Sequence, residues 1–370
     1  MKSLLLFSLL FLLMTTGFAQ LKTTPDGGNK KAWVGEQIGI TEVDIRYDRP
    51  AVKGREGQIW GKLLPYGFND LGFGTSKQAP WRAGANENTV MSFSTDVKVE
   101  GQPLKAGRYG FHIALYEDKC TLIFSSNYTS WGSFFYDPKE DVLRVDVKQQ
   151  VIPESIEYLK FEFTDQGTNS AMINLLWEKW RIAFKVEVDY IPLQLESFRK
   201  ELRGEKSFIP GWQSWQQAAQ FCLQNNVNLE EGLQWADMSV SGVFIGEANF
   251  MTLSTKAGIL KKLGRTDEAT KLMQQALPLG NMNQVHGYGR QLLQQKRLPE
   301  AAEVFKKNYE KFPNTFTTNM GMTRAMAIAG DKKKALSYAE KALPQAPDDM
   351  NKQNVENVIK KLKEGKDINQ

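Results

Sequence analysis

Ile38-Gly39-Ile40-Thr41-Glu42-Val43-Asp44-Ile45-Arg46-Tyr47 is the stretch whose reading decides the first half of the chain. Ile38, Ile40, Val43 and Ile45 alternate loosely with polar residues, the period of a strand with one buried face. Strand-like runs return at residues 89–93, 97–99, 108–116, 120–124, 143–147, 156–163, 171–177 and 181–188. Turn signals separate them: Arg49-Pro50, Glu100-Gly101-Gln102-Pro103, Glu117-Asp118, Asp137-Pro138 and Asp165-Gln166-Gly167. Many short strands with no helical crossover pair antiparallel. Residues 20–192 are therefore expected to form an antiparallel β-sandwich, with a closed barrel as the alternative. Phe111, Phe124, Phe161, Phe163, Trp177 and Phe184 are assigned to its core.

After Asp189-Tyr190-Ile191-Pro192 the alternation stops, and residues 193–202 read as a helix ended by Arg203-Gly204. From Trp212 onward helical segments come in pairs. Ala257, Leu260, Ala269, Met273 and Ala276 form one set; Gly289, Leu292, Ala301, Phe305 and Pro313 a second; Met326, Ala335, Ala339, Ala342 and Pro347 a third. Ala269, Ala301 and Ala335 stand 32 and 34 residues apart, a period that resembles tetratricopeptide repeats. Small residues let paired helices approach, and the pairs stack into a solenoid. Residues 212–222 and 228–240 read as a degenerate first pair with Gly232 at the alanine position, Gly264 and Gly330 punctuate turns, and residues 351–364 cap the array. Residues 193–370 are thus expected to be an α-helical repeat domain. Its concave groove suits a peptide or protein partner; the plainer reading is a rigid appendage.

The first residues predict export. Lys2, the apolar run of residues 4–14, and Gly17 and Ala19 before Gln20 form a signal peptide over residues 1–19, which places the mature protein in the periplasm or outside the cell. No later apolar run is long enough to span a membrane. Cys120 and Cys222 fall in different predicted domains and read as buried thiols, not a disulfide. The net charge of +5 falls by one with Lys2, and acids and bases are interspersed, so no nucleic-acid partner is indicated. Lys332-Lys333-Lys334 and the group Lys360, Lys361, Lys363 and Lys366 read as solvated helix faces.

Chemistry concentrates in Pro80-Trp81-Arg82-Ala83-Gly84-Ala85-Asn86-Glu87-Asn88-Thr89. A loop holding Trp and Arg is a site or a brace. As a site, Arg49, Arg55, Trp60, Trp81, Arg82, Asn86 and Glu87 would bind a small anionic or sugar ligand, guanidinium forks taking the anion and indoles the ring. As a brace, Arg82 pairs with Glu87 or Asp48 while Trp60 and Trp81 plug the end of the sandwich. With His112 and His286 the only histidines, no multi-imidazole metal site can be assembled. No nucleophile elbow or phosphate-cradling Gly-rich loop occurs, and no cofactor is indicated. The reading is an exported, non-enzymatic binding and interaction protein. The alternative is a periplasmic glycan-acting hydrolase using acidic residues such as Glu87 with Asp48.

Several segments together carry a family resemblance: Ile38-Gly39-Ile40-Thr41, Tyr47-Asp48-Arg49-Pro50-Ala51-Val52-Lys53-Gly54-Arg55, Ile59-Trp60-Gly61, Leu64-Pro65-Tyr66-Gly67, Trp81-Arg82-Ala83-Gly84-Ala85-Asn86-Glu87 and Ala106-Gly107-Arg108-Tyr109-Gly110. In that order they resemble the bacterial secreted family catalogued as domain of unknown function 2911, over roughly residues 22–188. The resemblance implies no activity. This chain departs from the family pattern by an insertion at residues 68–79, between the Pro-Tyr-Gly turn and the Trp-Arg motif.

Overall fold

The computed structural model describes residues 28–369, and the chain divides into two compact units between Gln194 and Leu195. The expected signal peptide, residues 1–19, lies outside the described residues.

The stretch at residues 38–47 is a hairpin and not one strand. Lys30–Ile38 (β1) and Thr41–Arg49 (β2) run antiparallel with Ile38 opposite Thr41. Gly39 sits between them at φ +60°, a left-handed value that only glycine takes cheaply and that a two-residue hairpin turn requires. Along β2, Thr41, Val43, Ile45 and Tyr47 are buried while Glu42, Asp44 and Arg46 are exposed, the alternation the sequence shows.

Eight strands follow: Thr89–Phe93 (β3), Val97–Val99 (β4), Gln102–Leu104 (β5), Gly107–Leu115 (β6), Cys120–Ser125 (β7), Asp141–Val147 (β8), Gln150–Thr164 (β9) and Ser170–Glu187 (β10). They form a six-stranded sheet in the order β1-β2-β3-β6-β7-β8 and a four-stranded sheet in the order β5-β4-β10-β9. Neither sheet closes on itself, so the unit is a sandwich and the barrel alternative is corrected. One core joins the two inner faces: the Phe111 ring lies 5.7 Å from Phe184 and 6.2 Å from Phe161. The expected strands at 171–177 and 181–188 are one strand, β10. Its register shifts on either side of Glu178, which holds φ +48°. A bulge of this kind bends a strand without ending it and lets the neighbours Trp177 and Glu178 both turn inward. The insertion at 68–79 adds no strand to either sheet; Asn69 and Ala79 exchange main-chain hydrogen bonds at its base, and the Ser76 amide donates to the Phe134 carbonyl at 3.0 Å.

Ten helices follow: Tyr190–Glu201 (α1), Trp212–Asn225 (α2), Leu229–Ser241 (α3), Phe250–Lys262 (α4), Thr266–Ala276 (α5), Met282–Gln294 (α6), Leu298–Lys311 (α7), Phe316–Ile328 (α8), Lys332–Ala342 (α9) and Asp349–Lys363 (α10). From α2 onward they pack as successive pairs, a tetratricopeptide-like array. The three anchor alanines are buried. Glycine does the same work elsewhere: a Cβ on Gly232 would come within 2.6 Å of Cys222, and one on Gly289 within 2.6 Å of Phe305. A second repeat runs through the caps. Asn249, Asn281 and Thr315 each close a capping box at the start of α4, α6 and α8, satisfying amides that the first helical turn leaves free. Among the described residues no helix is long and apolar enough to cross a membrane. Cys120 and Cys222 are free and buried, and burial pushes their thiols up to about 12 and about 11.

Candidate functional site

Trp60 and Trp81 meet, joined by two tryptophans that the sequence reading did not connect with them. Trp60 stacks on Trp180 at 4.4 Å and meets Trp81 and Trp177 edge-on, each at 5.7 Å. The β10 bulge places Glu178 beneath this group. Its carboxyl accepts from Trp60 Nε1 at 3.0 Å, from the Gly57 amide at 3.1 Å and from the Lys179 amide at 2.7 Å. Glu178 is 4% exposed, so three donors converge on a carboxyl group withdrawn from water. Trp60, Trp81 and Trp180 pack against the sandwich core. The indoles thus plug one part of the sheet unit, as the brace reading expects.

The loop after Trp81 begins at a fixed point. Trp81 and Ile113 exchange main-chain hydrogen bonds of 2.9 and 2.7 Å, and Trp81 Nε1 donates to the Gly84 carbonyl. Ala83 and Asn86 then take left-handed φ values of +51° and +54°. These turns bring the Asn86 carbonyl back to Arg82 Nη1 at 2.6 Å. The guanidinium also lies 4.7 Å from the Phe134 ring centroid and directly against Gly132, where a Cβ would collide with it. Desolvation lowers the Arg82 pKa.

The expected pairing of Arg82 with Glu87 or Asp48 does not form. Strand register explains why: Lys31 on β1 stands opposite Asp48 on β2, and its ammonium takes Asp48 at 3.7 Å and Glu87 at 2.7 Å. Burial nonetheless raises the Asp48 carboxyl, with the Glu87 charge adding to it and Lys31 opposing. Among the described residues no carboxylate lies within ion-pair distance of Arg82. Arg49 and Arg55 sit apart from this loop: Arg49 Nε donates to the Leu159 carbonyl at 2.8 Å, and Arg55 donates to the carbonyls of Val52 and Ala51 at 2.9 and 2.7 Å. The seven candidate residues therefore divide into an indole plug, a loop centred on Arg82, and two arginines clamped to main chain.

Beside Gly132 a narrow polar cleft is lined by Asn88, His112, Ser125, Asn127, Ser130, Tyr136 and Glu140, with no interior space the size of a water molecule. His112 at its base bonds Ser133 Oγ through Nδ1 at 2.9 Å. Burial, and secondarily the Arg82 charge, push the imidazole down to about 3, so it is neutral at ordinary pH. Among the described residues no group of three or more His, Cys, Asp or Glu is placed to hold a metal. The sequence reading missed Glu178, Trp180, Gly132 and Phe134 because they reach the motif from elements distant in the chain; the signal present was the four-residue run Trp177-Glu178-Lys179-Trp180, a charged interruption inside an apolar strand.

Solved structures similar to the helical region include a tetratricopeptide repeat protein from Parabacteroides merdae, 16% identical, covering 46% of this chain and 68% of that one at a TM-score of 0.33. MamA is 12% identical over 42% of this chain and 88% of that one, TM-score 0.31. YrrB, described as a TPR protein with an unusual peptide-binding site, is 19% identical over 45% and 84%, TM-score 0.30. No curated protein matches the chain. The sheet unit, over residues 29–186, is matched by the family described as a protein of unknown function, DUF2911.

Proposed function

We propose that this chain is an exported interaction protein: its helical unit takes an acidic segment of a peptide or protein partner, and its sheet unit takes a small anionic ligand at the Arg82 loop. One observation supports the helical half. His286 and Arg290 on α6 and Arg324 on α8 come together where these helices touch, a Cβ on Gly321 of α8 lying 3.4 Å from His286 Nδ1. Desolvation and then the Arg290 charge lower the Arg324 pKa. Burial and then both arginines push His286 down to about 4. Among the described residues none of the three is ion-paired, and the Arg324 guanidinium donates to the Ile368 carbonyl at 3.0 Å. Like charges brought together in a partly dry seam repel, and an incoming carboxylate relieves that cost. Export rests on the sequence of residues 1–19, and the non-catalytic reading on the scarcity of catalytic motifs.

The test is binding of a Glu-rich peptide, with a Gln-rich peptide as control, to the purified chain at two salt concentrations. Selective binding that weakens with salt and is lost in Arg290→Glu, an exposed position that folding tolerates, supports the reading. Equal binding of both peptides, or an unchanged affinity in Arg290→Glu, refutes it.

A further inference from the structure

In the sheet unit, the segment at residues 68–79 packs beside the surroundings of Arg82 through Phe73 and Phe134. Arg82 uses one donor, on Nη1, for the Asn86 carbonyl. Its other N–H groups make no hydrogen bond to protein among the described residues. They are also not among the fully buried polar atoms lacking a partner, so this half-buried guanidinium keeps donors with some contact with solvent. Side chains next to it are aromatic and exposed. Phe134, which stacks on the guanidinium, meets Phe73 of the insertion edge-on at 5.3 Å; Phe73 in turn lies 6.3 Å from Phe135. Phe73 is 65% exposed and Phe135 41%. Singly exposed aromatics need no explanation, but a contiguous group beside an unneutralised cation marks a binding surface.

We infer that Arg82 and this aromatic shelf form one site for a small amphipathic carboxylate, an aryl or acyl acid whose carboxylate meets the free guanidinium donors while its apolar body lies on Phe73 and Phe135. The inference rests on the small-ligand half of the proposed function and adds the apolar half of the ligand. Charge complementarity selects an anion: the guanidinium is partly desolvated and has no counter-ion among the described residues, so a carboxylate gains a charge-assisted, two-pronged hydrogen bond there. Ring area selects an apolar body, since covering exposed aromatic surface removes it from water. The insertion supplies this half. Gly74 packs so closely on the Phe134 carbonyl that a Cβ would clash, and the Ser76 amide bonds the same carbonyl, which holds Phe73 against Phe134.

The probes are phenylacetate, acetate and the neutral phenylacetamide, titrated into the purified full chain by calorimetry or ligand-observed NMR. Saturable phenylacetate binding is expected, with acetate and phenylacetamide each weaker by about tenfold or more. Phe73→Ala and Arg82→Gln should each weaken phenylacetate by a similar factor. Phe73 is exposed, so its variant folds and decides the matter even if Arg82→Gln does not. Acetate binding as tightly as phenylacetate, with Phe73→Ala silent, overturns the shelf and leaves a plain anion site. Phenylacetamide binding equally well, or no saturation by phenylacetate at about 10 mM, overturns the anion site as well.

Discussion

Replacing Glu178 tests whether a buried carboxyl organises the indole plug. Glu178→Ala removes the acceptor for Trp60 Nε1, the Lys179 amide and the Gly57 amide. Gly57 is exposed and can turn to water, so its loss costs little. The Trp60 N–H and the Lys179 amide face inward, and a buried donor left unpaired costs about 1–3 kcal/mol. Together they predict a destabilisation of about 2–6 kcal/mol. Glu178→Gln keeps the shape. Its amide oxygen can serve Trp60 and Lys179 while its NH2 group faces the exposed Gly57, so the cost should stay near 1 kcal/mol. Urea unfolding of the purified chain measures both. The circular-dichroism couplet of Trp60 stacked on Trp180 at 4.4 Å reports the plug directly. Glu178→Ala should weaken that couplet and Glu178→Gln preserve it. An alanine cost below about 0.5 kcal/mol with the couplet intact would refute the reasoning, as would a glutamine cost equal to the alanine cost.

Arg82→Ala removes a charged hydrogen bond to the Asn86 carbonyl and a cation–π contact but no ion pair, so urea unfolding should register a loss of about 2–3 kcal/mol; a loss below 1 kcal/mol would show that the loop does not depend on it. His112 binds its proton more weakly when folded, at about 3 against an ordinary 6.5. The unfolded chain therefore protonates first, and this contribution is complete above about pH 6.5 and declines by up to about 1.4 kcal/mol per unit as pH falls toward about 3. His112→Gln should flatten the acid limb of the sheet unit's stability profile; an unchanged limb contradicts the assignment. Gly289→Ala would force its Cβ within 2.6 Å of Phe305 in the α6–α7 pair, and helical unfolding followed by circular dichroism should show a loss of about 1–3 kcal/mol, whereas stabilisation by the better helix former would disprove close packing there.

Much of this protein is legible in local sequence. The alternation in β2, the turn residues between runs, and the alanines at 269, 301 and 335 identify a sandwich followed by paired helices, because each pattern is a direct image of which face of a strand or helix is buried. Gly39 carried the hairpin too, and reading it as a strand interior lost β1. The capping residues at 249, 281 and 315 repeat with the same steps as the alanines, a second image of the array. Partnership across distance was decided by tertiary structure alone. That Arg82 faces Phe134 and Gly132 instead of Glu87, that Glu178 holds Trp60, and that Phe73 of the insertion joins the Arg82 surface all depend on register and on a bulge. Local propensity records what each residue prefers to bury or expose. Which cation meets which acceptor is fixed by where separate strands and loops converge, because a one-residue change of register turns a side chain to the opposite face.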